Sequence, residues 1–122
     1  MNKYLHLLGR ILLAVIFIMA AIGKIKDPAG TISYMASVGL PGFLLWPTIA
    51  LELLGGIAII VGFQTRLAAV ALAVFTVVAA VLFHNNMADQ MQSIMFLKDI
   101  SIAGGLLLLA ASGASGFSVD KN

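Results

Sequence analysis

The chain has 122 residues, of which 61% are hydrophobic and only 10% are charged, whereas a soluble domain carries about 25% charged residues. It has no Cys, which excludes disulfides, iron-sulfur clusters and a cysteine nucleophile. The net charge of +2 comes from basic residues scattered singly, without the basic stripe of a nucleic-acid-binding protein, so we exclude nucleic acid as a partner. We predict an integral membrane protein with one domain over residues 1–122.

Four hydrophobic segments are long enough to cross a bilayer, which takes about 20 mostly apolar residues in a helix. They cover residues 4–23, 43–63, 67–83 and 94–112. The connections at 64–66 and 84–93 are short, and short connections make consecutive helices antiparallel neighbours. The predicted fold class is therefore all-α, an integral membrane four-helix bundle.

The longer connection between the first two crossings contains a helix of its own. Asp27 and Pro28 form a helix start signal, and the run from Gly39 to Gly42 is a stop signal. Between these signals a few apolar side chains can share one face: Ile32, Met35, Ala36 and Val38. We predict a short amphipathic helix lying at the membrane surface.

Four crossings place both termini on one side of the membrane. The terminal side carries more Lys and Arg than the opposite side, and cytoplasmic segments are enriched in these residues. We therefore predict a multi-pass membrane protein with cytoplasmic termini. Arg10 and Arg66 lie on the terminal side, where we expect them to anchor the helices at the interface.

The candidate site consists of ionisable residues placed where lipid makes them costly. Glu52 lies about 15 Å from either end of the second crossing. On the side away from the termini, Lys24 ends the first crossing, His84 ends the third, and Lys98 and Asp99 lie about one turn into the fourth. We predict that these five side chains line one polar pocket within the bundle.

Two cations, an imidazole and one or two carboxylates suit an anionic or quinone-like ligand. In this hypothesis Glu52 is the buried acid or base and His84 relays protons, while Lys24, Lys98 and Asp99 bind the ligand. We predict no metal site and no covalent cofactor. The alternative interpretation is that Lys24 with Asp99, or Lys98 with Glu52, forms a purely structural ion pair.

The order and spacing of several short motifs resemble those of the DoxX family of small four-helix membrane proteins. The motifs are GRILL at 9–13, GKI at 23–25, DPAG at 27–30, GLP at 39–41, ELLGG at 52–56, GFQTR at 62–66, LFH at 82–84, FLKD at 96–99, GG at 104–105 and SVD at 118–120. The family often has Asn at the position of Asp99, so the resemblance implies a polar group there and not necessarily a charge.

The resemblance implies a protein of a bacterial inner membrane. It also implies a role linked to respiration or redox chemistry, because the family takes its name from a membrane subunit of a thiosulfate:quinone oxidoreductase. One hypothesis is thus a subunit that binds a quinone or a small oxidisable, thiosulfate-like anion. The competing hypothesis is a non-catalytic membrane scaffold that anchors a redox or stress-response partner. A transporter is a third alternative, and four short helices would then have to form a homo-oligomer.

Overall fold

The computed structural model describes residues 3–84, 88–114 and 118, and these residues form helices joined by short connections. The helices are α1 (Lys3–Lys26), α2 (Pro28–Ser37), α3 (Leu45–Val61), α4 (Thr65–Phe83) and α5 (Gln90–Ser112), and a 3₁₀ turn, Gly42–Leu44, leads into α3. All of them except α2 belong to segments long and apolar enough to cross a membrane, and the second of these segments, Gly42–Val61, contains the turn together with α3. The predicted all-α membrane bundle with four crossings is confirmed.

The helix ends differ from the predicted segments by up to four residues: α3 is shorter at both ends, Leu45–Val61 in place of 43–63, and α4 begins two residues earlier, at Thr65. Helix α5 begins at Gln90 and not at residue 94, because the Asp89 carboxylate accepts hydrogen bonds from the backbone N–H groups of Met91 and Gln92 at 2.9 and 3.4 Å. Helix α1 continues past residue 23 to Lys26. The connection between α4 and α5 is therefore shorter than the predicted ten residues.

Helix α2 is the short helix predicted between the first two crossings. Asp27 caps it by accepting a hydrogen bond from the Gly30 N–H at 3.0 Å, and Pro28 takes the first helical position. Met35 is its buried residue. The aromatic ring of Tyr34 packs on that of Phe83 in α4, with ring centroids 4.9 Å apart, so α2 lies against the end of the bundle away from the termini.

The bundle consists of two closely packed helix pairs, α1 with α3 and α4 with α5, joined more loosely to each other. Small residues set the close approaches. A Cβ added to Gly56 would lie 2.8 Å from Ile18 Cγ1, and one added to Gly55 would lie 3.1 Å from the Leu72 side chain. Such close contacts favour helix association in lipid, where apolar side chains gain little by leaving the bilayer.

Two buried clusters divide the bundle along its length. The larger one lies towards the terminal end and includes Phe17, Leu72 and Leu106. The smaller one joins Met35 of α2 to Leu45 and Ile49 of α3, at the opposite end, which we call the non-terminal end. Large apolar side chains elsewhere are exposed along the crossing helices, which presents an apolar surface to lipid.

Candidate functional site

Glu52 forms an ion pair with Lys24 inside the non-terminal half of the bundle. The Lys24 Nζ atom donates a hydrogen bond to Glu52 Oε1 at 2.7 Å, with side chains 24% and 5% exposed, respectively. The packing register explains the pair. From the Ile18–Gly56 contact, Lys24 lies about 9 Å along α1 and Glu52 about 6 Å along antiparallel α3, so the two side chains meet at nearly one level. The alternative interpretation paired Lys24 with Asp99, or Lys98 with Glu52; the structure instead pairs Lys24 of α1 with Glu52 of α3.

His84 and Asp99 form a second polar group, between α4 and α5. The His84 Nε2 atom lies 3.8 Å from Asp99 Oδ2, within ion-pair distance, and His84 Nδ1 lies 3.0 Å from Gln92 Oε1. The backbone places the ring, because α4 ends at Phe83 and His84 is its C-terminal cap. The imidazole therefore lies against two side chains of α5, Gln92 and Asp99, and links the end of α4 to that helix.

Both polar groups line one cavity of about 570 Å³, bounded by α1, α2, α3, α4 and α5. Most of its wall is apolar, with Phe17, Leu45 and Phe75 among the lining residues. A mainly apolar cavity with a few polar groups is typical of a site for a small organic ligand. The structure thus brings together four of the five residues predicted for the site: Lys24, Glu52, His84 and Asp99.

Lys98 is the exception, because it does not line this cavity. It is exposed and borders a separate shallow depression on α5 with Ile94, Leu97 and Ser101. Adjacent residues on a helix point about 100° apart, so Lys98 cannot share the direction of Asp99. The prediction that Lys98 lines the same pocket is wrong.

The cavity also has polar residues that the sequence analysis did not place in the site. Tyr34 and Thr31 enter from α2, Thr48 from α3 and Thr76 from α4. The Thr76 hydroxyl donates a hydrogen bond to the Leu72 carbonyl at 2.7 Å and so is occupied by its own helix. A sequence signal existed for Thr48, which precedes Glu52 by one helical turn and therefore shares its face.

At the terminal end, Arg10 is buried and not an interfacial anchor as predicted. It is 1% exposed, and its Nη1 atom donates to the Ile59 carbonyl of α3 at 3.4 Å. Arg66 is exposed and does lie at the helix ends: its guanidinium donates to the carbonyls of Ala111 and Ser112 at 3.1 and 3.4 Å. These carbonyls end α5, so Arg66 stabilises the last turn of that helix.

The fold and the site define a small membrane protein whose four crossing helices surround a mainly apolar cavity with a few ionisable side chains in its wall. The sequence model of the DoxX family matches residues 5–85, which is more than half of the chain. The chain belongs to the DoxX family, as the motifs indicated.

Curated proteins similar to this chain include two from Escherichia coli and one from Bacillus subtilis. Inner membrane protein YqjF is 48% identical, over 94% of this chain and 88% of its own length. Inner membrane protein YphA is 38% identical, over 96% of this chain and 89% of its own length. The Bacillus protein, named "Putative oxidoreductase CatD", is 34% identical, over 67% of this chain and 63% of its own length. No solved structure matches the chain.

Proposed function

We propose that this chain is an inner-membrane protein that binds a quinone in the cavity between its helix pairs and serves a quinone-linked oxidoreductase. The observation that carries the proposal is the Lys24–Glu52 ion pair in the wall of a mainly apolar cavity of about 570 Å³. The names of YqjF and YphA support the membrane location. The name of CatD supports a redox role.

The charges around the cavity favour a quinone over a small oxidisable anion. Lys98 lies outside the cavity, and Lys24 is already paired with Glu52. An oxyanion in the cavity would be repelled by two carboxylates, those of Glu52 and Asp99. The one ammonium group that could attract it, that of Lys24, is already paired with Glu52. A quinone ring is neutral, fits apolar walls and needs hydrogen-bond donors at its carbonyl oxygens only.

Lys24, Glu52 and His84 have separate roles in this proposal. The Lys24 ammonium group has three donors and uses one on Glu52, which leaves donors for a quinone carbonyl. Glu52 balances that charge and is the buried acid or base. His84 lies at the end of α4 beside the connection to α5, so it can pass protons between the surface and the cavity.

Reduction of a quinone to a quinol consumes electrons and protons in equal number. In this proposal His84 and Glu52 transfer the protons. The electrons come from a redox partner protein at the membrane surface, because the side chains of His84 and Glu52 are not redox-active. The chain is therefore the quinone-binding subunit of an assembly and not the whole enzyme.

Mass spectrometry of the organic extract from gently purified protein tests this function. The comparison includes the wild type, Glu52→Gln, His84→Ala and the control Lys98→Met, whose side chain lies outside the cavity. We expect co-purified quinone in the wild type and in Lys98→Met, and its loss from Glu52→Gln and His84→Ala. Circular dichroism and gel filtration establish that each variant is folded.

Two results would contradict the proposal. Absence of quinone from all four proteins would favour the competing hypothesis, a scaffold that anchors a redox partner, and a pull-down from gently solubilised membranes would then recover that partner in stoichiometric amount. Normal quinone content in a Glu52→Gln protein that unfolds more easily would make Glu52 a structural residue.

A further inference from the structure

The cavity reaches the lipid-facing surface of the bundle. Ile16 of α1 and Val78 of α4 both line the cavity, yet each is 51% exposed. Ile16 lies in the middle of α1 and Val78 lies five residues before the end of α4, and both helices are long enough to cross the membrane. The exposed part of each side chain therefore faces acyl chains and not water, and the cavity is open to the hydrocarbon core.

Helices α1 and α5 contact each other much less than α1 contacts α3, so the bundle is loosely closed along this side. A Cβ added to Gly105 of α5 would lie 3.3 Å from Leu13 of α1, so the helices are in contact at that level. Because α1 and α5 are antiparallel, one turn towards the non-terminal end leads to Ile16 on α1 and Ile102 on α5. Both of these residues line the cavity. The Leu13–Gly105 contact thus closes this side of the bundle towards the terminal end. The space between Ile16 and Ile102, one turn further towards the non-terminal end, is called the gap.

The Lys24–Glu52 pair lies further towards the non-terminal end than this gap. Lys24 is eight residues beyond Ile16 on the same helix, which is about 12 Å along the axis. A single quinone ring held at Lys24 does not span that length. The space between the ring and the gap has apolar walls, including Phe17 and Ala20, and suits a hydrocarbon chain.

We propose that the gap between Ile16 and Ile102 is a lateral entrance from the bilayer, and that the isoprenoid tail of a lipid-soluble quinone lies in it; this inference rests on the proposed quinone-binding function. The head group lies at Lys24 and Glu52, and the tail leaves across Ile16 into the hydrocarbon core. The substrate class is then a long-tailed membrane quinone. A hydrated inorganic anion does not arrive by this route, because transfer of an unpaired charge into hydrocarbon is prohibitively costly.

A bulky residue at the entrance tests this inference. Ile16→Trp fills the gap, and Leu12→Trp is the matched control, because Leu12 lies one turn away on the same face of α1, is 65% exposed and does not line the cavity. Native mass spectrometry in detergent measures binding of two probes: ubiquinone with its full isoprenoid tail, and the same benzoquinone ring without a tail. Circular dichroism checks the fold of both variants.

We expect Ile16→Trp to weaken binding of the tailed quinone by about tenfold, equivalent to about 1.4 kcal/mol, with little effect on the tail-less ring and no effect of Leu12→Trp on either probe. Unchanged binding of both probes to Ile16→Trp would overturn the entrance and leave the quinone site intact. Equal loss of both probes would also overturn it, because the Trp side chain would then occupy the ring site. If the wild type binds neither probe, the proposed function itself fails, and the entrance fails with it.

Discussion

Removing the ammonium group of Lys24 tests whether the ion pair stabilises the fold. In Lys24→Met the Glu52 carboxylate, 5% exposed, loses its charged partner while it remains buried. Breaking a buried ion pair from one side costs about 3 to 5 kcal/mol. The loss has an upper limit, because Glu52 can become neutral by taking up a proton.

That limit can be calculated from the chemistry of a free glutamate. The carboxyl of an unfolded glutamate has a pKa of about 4.3, and each pH unit above it corresponds to about 1.36 kcal/mol. Keeping Glu52 protonated therefore costs about 3.7 kcal/mol at pH 7 and about 1 kcal/mol at pH 5. In this pH range the unfolded variant binds fewer protons than the folded variant, so the free energy of unfolding of Lys24→Met falls as the pH rises.

Unfolding of the detergent-solubilised protein by added sodium dodecyl sulfate, followed by circular dichroism, measures this effect. We expect Lys24→Met to be destabilised by about 3 kcal/mol at pH 7 and by much less at pH 5. The double variant Lys24→Met with Glu52→Gln should recover most of the loss, because it leaves no unpaired charge. Lys98→Met, an exposed control, should stay within about 0.5 kcal/mol of the wild type. A loss that is equal at both pH values would refute the reasoning.

Two further predictions concern helix packing and topology. Gly56→Ala should destabilise the fold by about 1 to 3 kcal/mol, because the new methyl group would meet Ile18 Cγ1 at 2.8 Å. The control Gly104→Ala should be neutral or stabilising, because a Cβ there meets no atom of the described residues within 4 Å. Equal unfolding curves for the two variants would contradict the packing. Because the chain has no Cys, single cysteines report topology. A membrane-impermeant thiol reagent applied to spheroplasts should label Ser37→Cys and not Lys3→Cys. Labelling of both would contradict the crossing by α1, and labelling of Lys3→Cys alone would contradict cytoplasmic termini.

The bundle could be predicted from hydropathy because lipid allows few alternatives to crossing helices. The predicted start of a helix is wrong where a local polar contact, and not hydropathy, determines where the helix begins. Asp89 starts α5 four residues before the apolar run, and the signal was available in the sequence, since Asp89 followed by Gln92 three residues later is the pattern of a capping box.

The membership of the site could be predicted in large part, and its pairing could not. Depth in the membrane made Glu52 a candidate, whereas its partner depends on the register between α1 and α3. That register follows from the packing of Ile18 on Gly56, which no single-sequence pattern reveals. Lys98 is predicted in the site only from its depth in the membrane. Its side chain points about 100° away from that of Asp99 around the helix axis.

The Lys24–Glu52 ion pair and the His84–Asp99 contact have a mechanical consequence, because each lies within one helix pair. Lys24–Glu52 ties α1 to α3, and His84–Asp99 ties α4 to α5. The pairs are connected at the terminal end by the tight turn after α3, where Gly62 and Gln64 adopt positive φ angles of 74° and 48°. The two helix pairs are joined at the non-terminal end by apolar contacts, including Tyr34 on Phe83 and the cluster that contains Met35 and Leu45, so a small movement there leaves both polar contacts intact.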